Sequence, residues 1–180
     1  IRNNDKVGLI CFSDRIEAYI PPRKGSKHVL RVIRELLALE PEGSGTDIGS
    51  ALEFLNKVQK KRSIVFLVSD MQDRDWQRPL QIANKRHDLV AVRTDDEAEH
   101  ALPNVGLMRI VDPETSRTHL IDTASKKVRI AWKQLAAERT IAIEQSLRRC
   151  NVDEIHIKTG EPFAQSLRQF FKRREAKRIA

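Results

Sequence analysis

Short apolar runs alternate along this chain with stretches of helical spacing. Val7 to Phe12 is one such run, followed after Ser13-Asp14-Arg15 by Ile16 to Ile20, which stops at Pro21-Pro22. The pair predicts an antiparallel hairpin whose second strand lies at a sheet edge, closed by its prolines. Val29, Leu30, Val32, Ile33, Leu36 and Leu37 then recur at helical intervals with Lys and Arg opposite them, predicting an amphipathic helix. Pro41 to Gly45 breaks it, and Ile48, Ala51, Leu52, Leu55 and Val58 repeat the spacing. Thr46 or Asp47 can accept from the free N–H groups at the start of that second helix.

Ile64 to Val68 is apolar on both faces, the pattern of a central parallel strand covered by helices. A polar stretch, Asp70 to Arg78, leads to a helix over about Trp76 to Arg86 and a strand from Leu89 to Val92. Asp95-Asp96-Glu97-Ala98-Glu99 reads as an acidic loop. Met108 to Val111 and His119 to Ile121 alternate around Asp112-Pro113-Glu114-Thr115-Ser116, a β-hairpin pattern. A long helix is predicted from Ser125 to Arg149, with Val128, Trp132, Leu135, Ile143 and Leu147 on its inner face. A strand, Glu154 to Ile157, and a final helix from about Pro162, anchored by Leu167, Phe170 and Phe171, complete one α/β domain without repeat or linker.

Composition adds bounds. The 180 residues are 40% hydrophobic and 32% charged, an ordinary globular mix. No apolar run approaches the ~18 residues of a membrane span, and Ile1-Arg2-Asn3-Asn4-Asp5 does not read as a signal peptide. A cytoplasmic location is the expectation. Cys11, inside a strand pattern, reads as a small buried hydrophobe, so no disulfide framework is expected. Residues 1–100 hold 17 Lys/Arg against 16 Asp/Glu, whereas residues 101–180 hold 16 against 9. That asymmetry raises an alternative: a nucleic-acid-binding module using Arg168, Lys172, Arg173 and Arg174. No aromatic interleaving supports it, and its affinity would fall steeply with salt.

Candidate chemistry gathers at two places. Gly45-Thr46-Asp47 and Ser69-Asp70, the latter ending the central apolar run, bring a hydroxyl and a carboxylate to one end of the predicted sheet. Mg²⁺ suits such oxygen ligands. The structural readings are a helix cap at Thr46 and a turn at Asp70. Asp70, Asp73 and Asp75 crowd one loop, as in a solvated acidic turn or, as a third possibility, a metal-dependent hydrolase. No Gly-Lys-Ser/Thr phosphate loop, Gly-x-Gly-x-x-Gly or Gly-x-Ser-x-Gly is present. The five histidines lack metal-ligand spacing, so nothing specifies a reaction and no enzyme is expected.

Asp5-Lys6-Val7-Gly8-Leu9-Ile10-Cys11-Phe12-Ser13, Gly45-Thr46-Asp47 with Ala51-Leu52, and Val68-Ser69-Asp70 together resemble the second half of a von Willebrand factor A-like domain. Asp112-Pro113-Glu114-Thr115, Ile121-Asp122-Thr123, and Leu167 with Phe170-Phe171 and Arg174 are similar to the C-terminal pattern of one bacterial branch, domain of unknown function 58. The resemblance implies a Rossmann-like doubly wound sheet over residues 1–180, N-terminally truncated, with a β-hairpin inserted before the long C-terminal helix. It also implies a metal-ion-dependent adhesion site in which Thr46 and Asp70 are two of the metal ligands. The Asp-x-Ser-x-Ser element of that site, and the first strand before it, have no counterpart here. Thr46, Asp47, Asp70 and Asp73 would form the partner-binding edge, with a MoxR-type AAA+ ATPase as the implied protein partner. Mg²⁺ is then expected in the full-length protein and not held tightly by this chain. Without the first strand, the strands at Val7–Phe12 and Ile64–Val68 are expected to pair directly, to exchange a strand with a second copy, or to need further residues.

Overall fold

The computed structural model describes residues 5–111 and 118–179. Strand β1 (Val7–Phe12) pairs antiparallel with β2 (Ile16–Arg23). The second strand runs on through Pro21 and Pro22, beyond the expected stop at Ile20, because an edge strand can carry residues without an N–H. Between Val7↔Arg23 and Leu9↔Ile20 the register shifts, and Gly8 sits at that irregularity. A Cβ on Gly8 would lie 2.9 Å from the Ile20 carbonyl oxygen and 3.0 Å from Pro22 Cγ, so only glycine lets the strands meet there.

Helix α1 (Ser26–Ala38) follows as predicted, but Val32 is its one buried residue. Leu30, Ile33, Leu36 and Leu37 of the expected inner face are exposed. Helix α2 (Ile48–Val58) instead buries its predicted face through Ile48, Ala51 and Leu52.

The second sheet has three parallel strands in the order β3 (Ile64–Ser69), β4 (Asp88–Asp95), β7 (Asp153–Lys158). Helix α3 (Gln77–Arg86) connects the first two. Between β4 and β7 come a helical turn α4 (Glu97–His100), the hairpin β5 (Leu107–Val111) and β6 (Thr118–Asp122), and the long helix α5 (Lys126–Arg149). The expected hairpin tip, Asp112-Pro113-Glu114-Thr115-Ser116, lies outside the described residues. Helix α6 (Phe163–Ile179) ends the chain.

Helices cover both faces of this sheet. On one, Ile48 and Leu52 of α2, Leu80 and Ala83 of α3, and Ile143 and Leu147 of α5 pack on Leu67, Leu89 and Ala91. Ala136 is buried on α5 and Leu135 exposed, a one-residue correction to the predicted inner face. On the other face, Phe170 of α6 packs on Val90, Val92 and Ile155.

Strand β3 departs from the central position its composition predicts. Phe12 of β1 and Leu67 of β3 join one cluster around α2, yet β1 and β3 belong to different sheets and do not pair. Direct pairing is thereby corrected. Ile64, Phe66 and Val68, which share the face that α6 covers on β4, are exposed.

Candidate functional site

Two loops and a helix start meet at the C-terminal end of β3. The backbone N–H of Asp47 donates to the Ser13 carbonyl, 2.9 Å, tying the start of α2 to the turn after β1. The Ile48 N–H donates to Asp73 Oδ2, 2.8 Å, tying it to the loop after β3. Gly43 makes the first of these joins workable: a Cβ there would fall 2.1 Å from Ser13 Oγ. Its N–H donates to Glu17 Oε1, 2.8 Å. A hydrogen bond from Ser13, then the Gly43 N–H, holds the Glu17 carboxyl below its ordinary range.

The loop after β3 turns at Met71, whose φ of 62° lies in the left-handed region. Its side chain is buried in the core beside Trp76 and Leu80, and its N–H donates to Ser69 Oγ, 3.0 Å. That inward anchor leaves Asp70 exposed at the sheet end, where Oδ1 accepts the Gln72 N–H at 3.0 Å. Thr46 is half-buried just before the helix start.

The four predicted site residues divide. Asp47, rather than Thr46, caps α2: its carboxylate accepts the Ser50 N–H at 2.7 Å and the Ser50 hydroxyl at 2.6 Å. The Ser50 hydroxyl and N–H hold that carboxyl below its usual range. Asp73 accepts from Ile48 and, through Oδ1, from the Arg74 N–H at 2.6 Å. Both carboxylates thus have structural duties. Thr46 and Asp70 remain as the outward donors, and two oxygens do not make a Mg²⁺ centre. Among the described residues no three His, Cys, Asp or Glu side chains come together to hold a metal. The residues present do not by themselves fit the metal.

A second polar cluster, read from sequence as an acidic loop and scattered histidines, lies at the ends of β4 and β7. Asp95 is buried at the end of β4. Its Oδ1 is 2.6 Å from His100 Nε2, and its Oδ2 is 3.0 Å from His156 Nε2. Burial works to raise its carboxyl, and the hydrogen bonds from His100 and His156 outweigh burial, holding it below the ordinary value. Arg93, also buried, lies 3.7 Å from Asp95, 3.6 Å from Glu144 on α5 and 2.6 Å from Glu154 on β7. The sequence carries one trace of this cluster: Arg93 and Asp95 interrupt the apolar strand at alternate positions, so both face the same side. His156, Glu154 and Arg173 line a polar cavity of about 240 Å³ beside it.

Comparison with known proteins places the chain. The model of the family described as Protein of unknown function DUF58 matches residues 1–142. The chain belongs to the DUF58 family. An uncharacterized protein of Mycobacterium tuberculosis is 23% identical over 171 residues, 92% of this chain and 53% of the relative. The DUF58 chain therefore spans about half the length of that relative. An uncharacterized Mycobacterium avium protein is 24% identical over 164 residues, with 89% of this chain and 96% of that protein covered. Among solved structures, the conserved hypothetical protein BatB from Bacteroides thetaiotaomicron superposes with a TM-score of 0.53 at 13% identity, covering 97% of this chain and 79% of that one. An aerotolerance-related membrane protein from Bacteroides fragilis gives 0.52 at 15% identity, covering 87% and 73%. These likenesses bear on the fold alone. Among the described residues no helix is long and apolar enough to cross a membrane.

The basic end of this DUF58 chain is partly internal. Arg174 pairs with Asp88 and lies 2.9 Å from Asp153, at the starts of β4 and β7, with its guanidinium 5.4 Å from the Phe170 ring centre. The hydrogen bond to Asp88 raises its already high pKa further. One of the four cations assigned to the nucleic-acid alternative is therefore committed to holding α6 on the sheet.

Proposed function

We propose that this DUF58 chain is part of a non-enzymatic protein-interaction domain of von Willebrand factor A-like architecture. Its partner face is the sheet end carrying Thr46 and Asp70. The observation that supports this most is the joining of three segments there: Asp47 is tied to Ser13, and Ile48 to Asp73. Rigid ties of that kind present Asp70 outward on a fixed frame instead of a free loop. The family resemblance suggests a MoxR-type AAA+ ATPase as the partner, assembly or maturation of other proteins as the task, and a cytoplasmic setting.

In this reading Mg²⁺ belongs to the longer protein, because Thr46 and Asp70 need further donors from residues beyond this chain. Calorimetric titration of Mg²⁺ and Mn²⁺ into this chain and into a version extended through the missing strand tests it. Binding is expected in the extended version alone and should be lost with Asp70→Ala, while the thermal melt stays unchanged. Binding that survives Asp70→Ala, or none in either version, removes the metal from the reading.

A further inference from the structure

We infer that α4 is a pH-dependent latch, closed onto the ends of β4 and β7 through His100 and His156 on Asp95 and joined through Glu99 to the loop after Asp70. The inference stands apart from the metal and partner reading above. Four residues make too short a helix to hold itself, since most of a helix's stability comes from packing. Side chains of other elements hold α4 in place. Trp132 Nε1 of α5 donates to the Glu99 carbonyl, 2.8 Å, and Gln72 Nε2 donates to Glu99 Oε2, 2.6 Å. Gln72 in turn accepts from Arg139 at 2.7 Å. The remaining tie is His100 on Asp95.

The charges around that tie make its strength depend on protons. Asp95 is faced by Arg93 on its own strand, His100 from α4 and His156 from β7. Arg93 also serves Glu154 of β7 and Glu144 of α5. Asp96 follows in the chain and caps α4, with the Thr159 hydroxyl donating to it at 2.7 Å. Arg173 of α6 shares the cavity lined by His156 and Glu154. One guanidinium thus answers three carboxylates. Protonating either imidazole offsets the surplus negative charge and turns a neutral hydrogen bond into a charge-assisted one, roughly twice as strong. Imidazoles change charge between about pH 5 and 8. The latch tightens as pH falls through that range and loosens as pH rises, releasing Glu99 from Gln72, two residues beyond Asp70.

The two tryptophans supply a reporter and a control. With 5-fluorotryptophan incorporated, the Trp132 fluorine resonance is expected to shift between pH 8 and pH 5.5, while that of Trp76, buried in the core, stays in place. His100→Gln should abolish the shift. Asp95→Asn, which keeps both imidazoles but removes the charge they close on, should abolish it too. A Trp132 resonance that ignores pH in the wild type overturns the latch, and so does a shift that persists undiminished in either variant. Where His100→Gln or Asp95→Asn loses its folded Trp76 signal, His156→Gln decides: a reduced shift supports the latch and a full one overturns it.

Discussion

Met71 places a left-handed backbone and a fully buried side chain at the same position, directly after the exposed Asp70. The φ of a non-glycine residue there costs about 1–2 kcal/mol, which the burial of the thioether offsets. Glycine would relieve the backbone and empty the core. Met71→Gly is therefore expected to lower stability by about 2–4 kcal/mol in urea denaturation, since loss of the buried chain outweighs relief of the turn. A variant as stable as the wild type would mean that the side chain does not anchor this loop.

At the scale of elements, α6 is attached at two places, Phe170 in the apolar layer and Arg174 on the strand starts. Arg174→Ala should cost about 1–2 kcal/mol after allowance for solvent screening, with faster amide exchange confined to the last turns of α6. Uniform loss of protection across the sheet would instead assign Arg174 to the global core. The helix itself was legible from Leu167, Phe170 and Phe171, and α2 from its periodicity and the Asp-Ile-Gly-Ser start that the Asp47 cap uses. Other features were hidden for physical reasons. Apolar faces on β3 describe the neighbours it needs, not those this chain supplies, so it reads as central while remaining at an edge. The four-residue α4 is too short to show a period, and its Asp-rich start resembles any acidic loop. His100 and His156 meet because β4 and β7 pair in parallel, with Arg93 opposite His156. Likewise, the bond from Ile48 to Asp73 crosses 25 residues. Local spacing carries neither meeting, and both define the candidate site and its latch.

At the scale of the molecule, two histidine effects of opposite sign act on stability. His87 is buried between α3 and β4, and neither ring nitrogen has a hydrogen-bond partner among the described residues. Burial first, then Arg86 and Arg62, hold its imidazole below the ordinary 6.5. The unfolded chain therefore takes up this proton more readily, so the contribution of His87 is full above the unfolded pKa and is lost as pH falls below it. The Asp95 latch works the other way. Comparing chemical denaturation of the wild type and His87→Leu from pH 7.5 to pH 5 separates them: the variant should gain on the wild type as acid is added. A constant difference across that range would show that His87 is not the acid-sensitive group.

Pro21 and Pro22 in β2 have a consequence for how the divided sheet can grow. Residues without an N–H make the outer flank of the hairpin a poor template for a further strand. At the far margin, β7 alternates Glu154, His156 and Lys158 along its length, which discourages neighbours by charge. The inner margins of β1 and β3 carry neither device. A newcomer is thus admitted between the two sheets and turned away at either end. An unfinished sheet would otherwise be a seed for fibres; with its flanks closed, this one becomes a vacancy for a single guest.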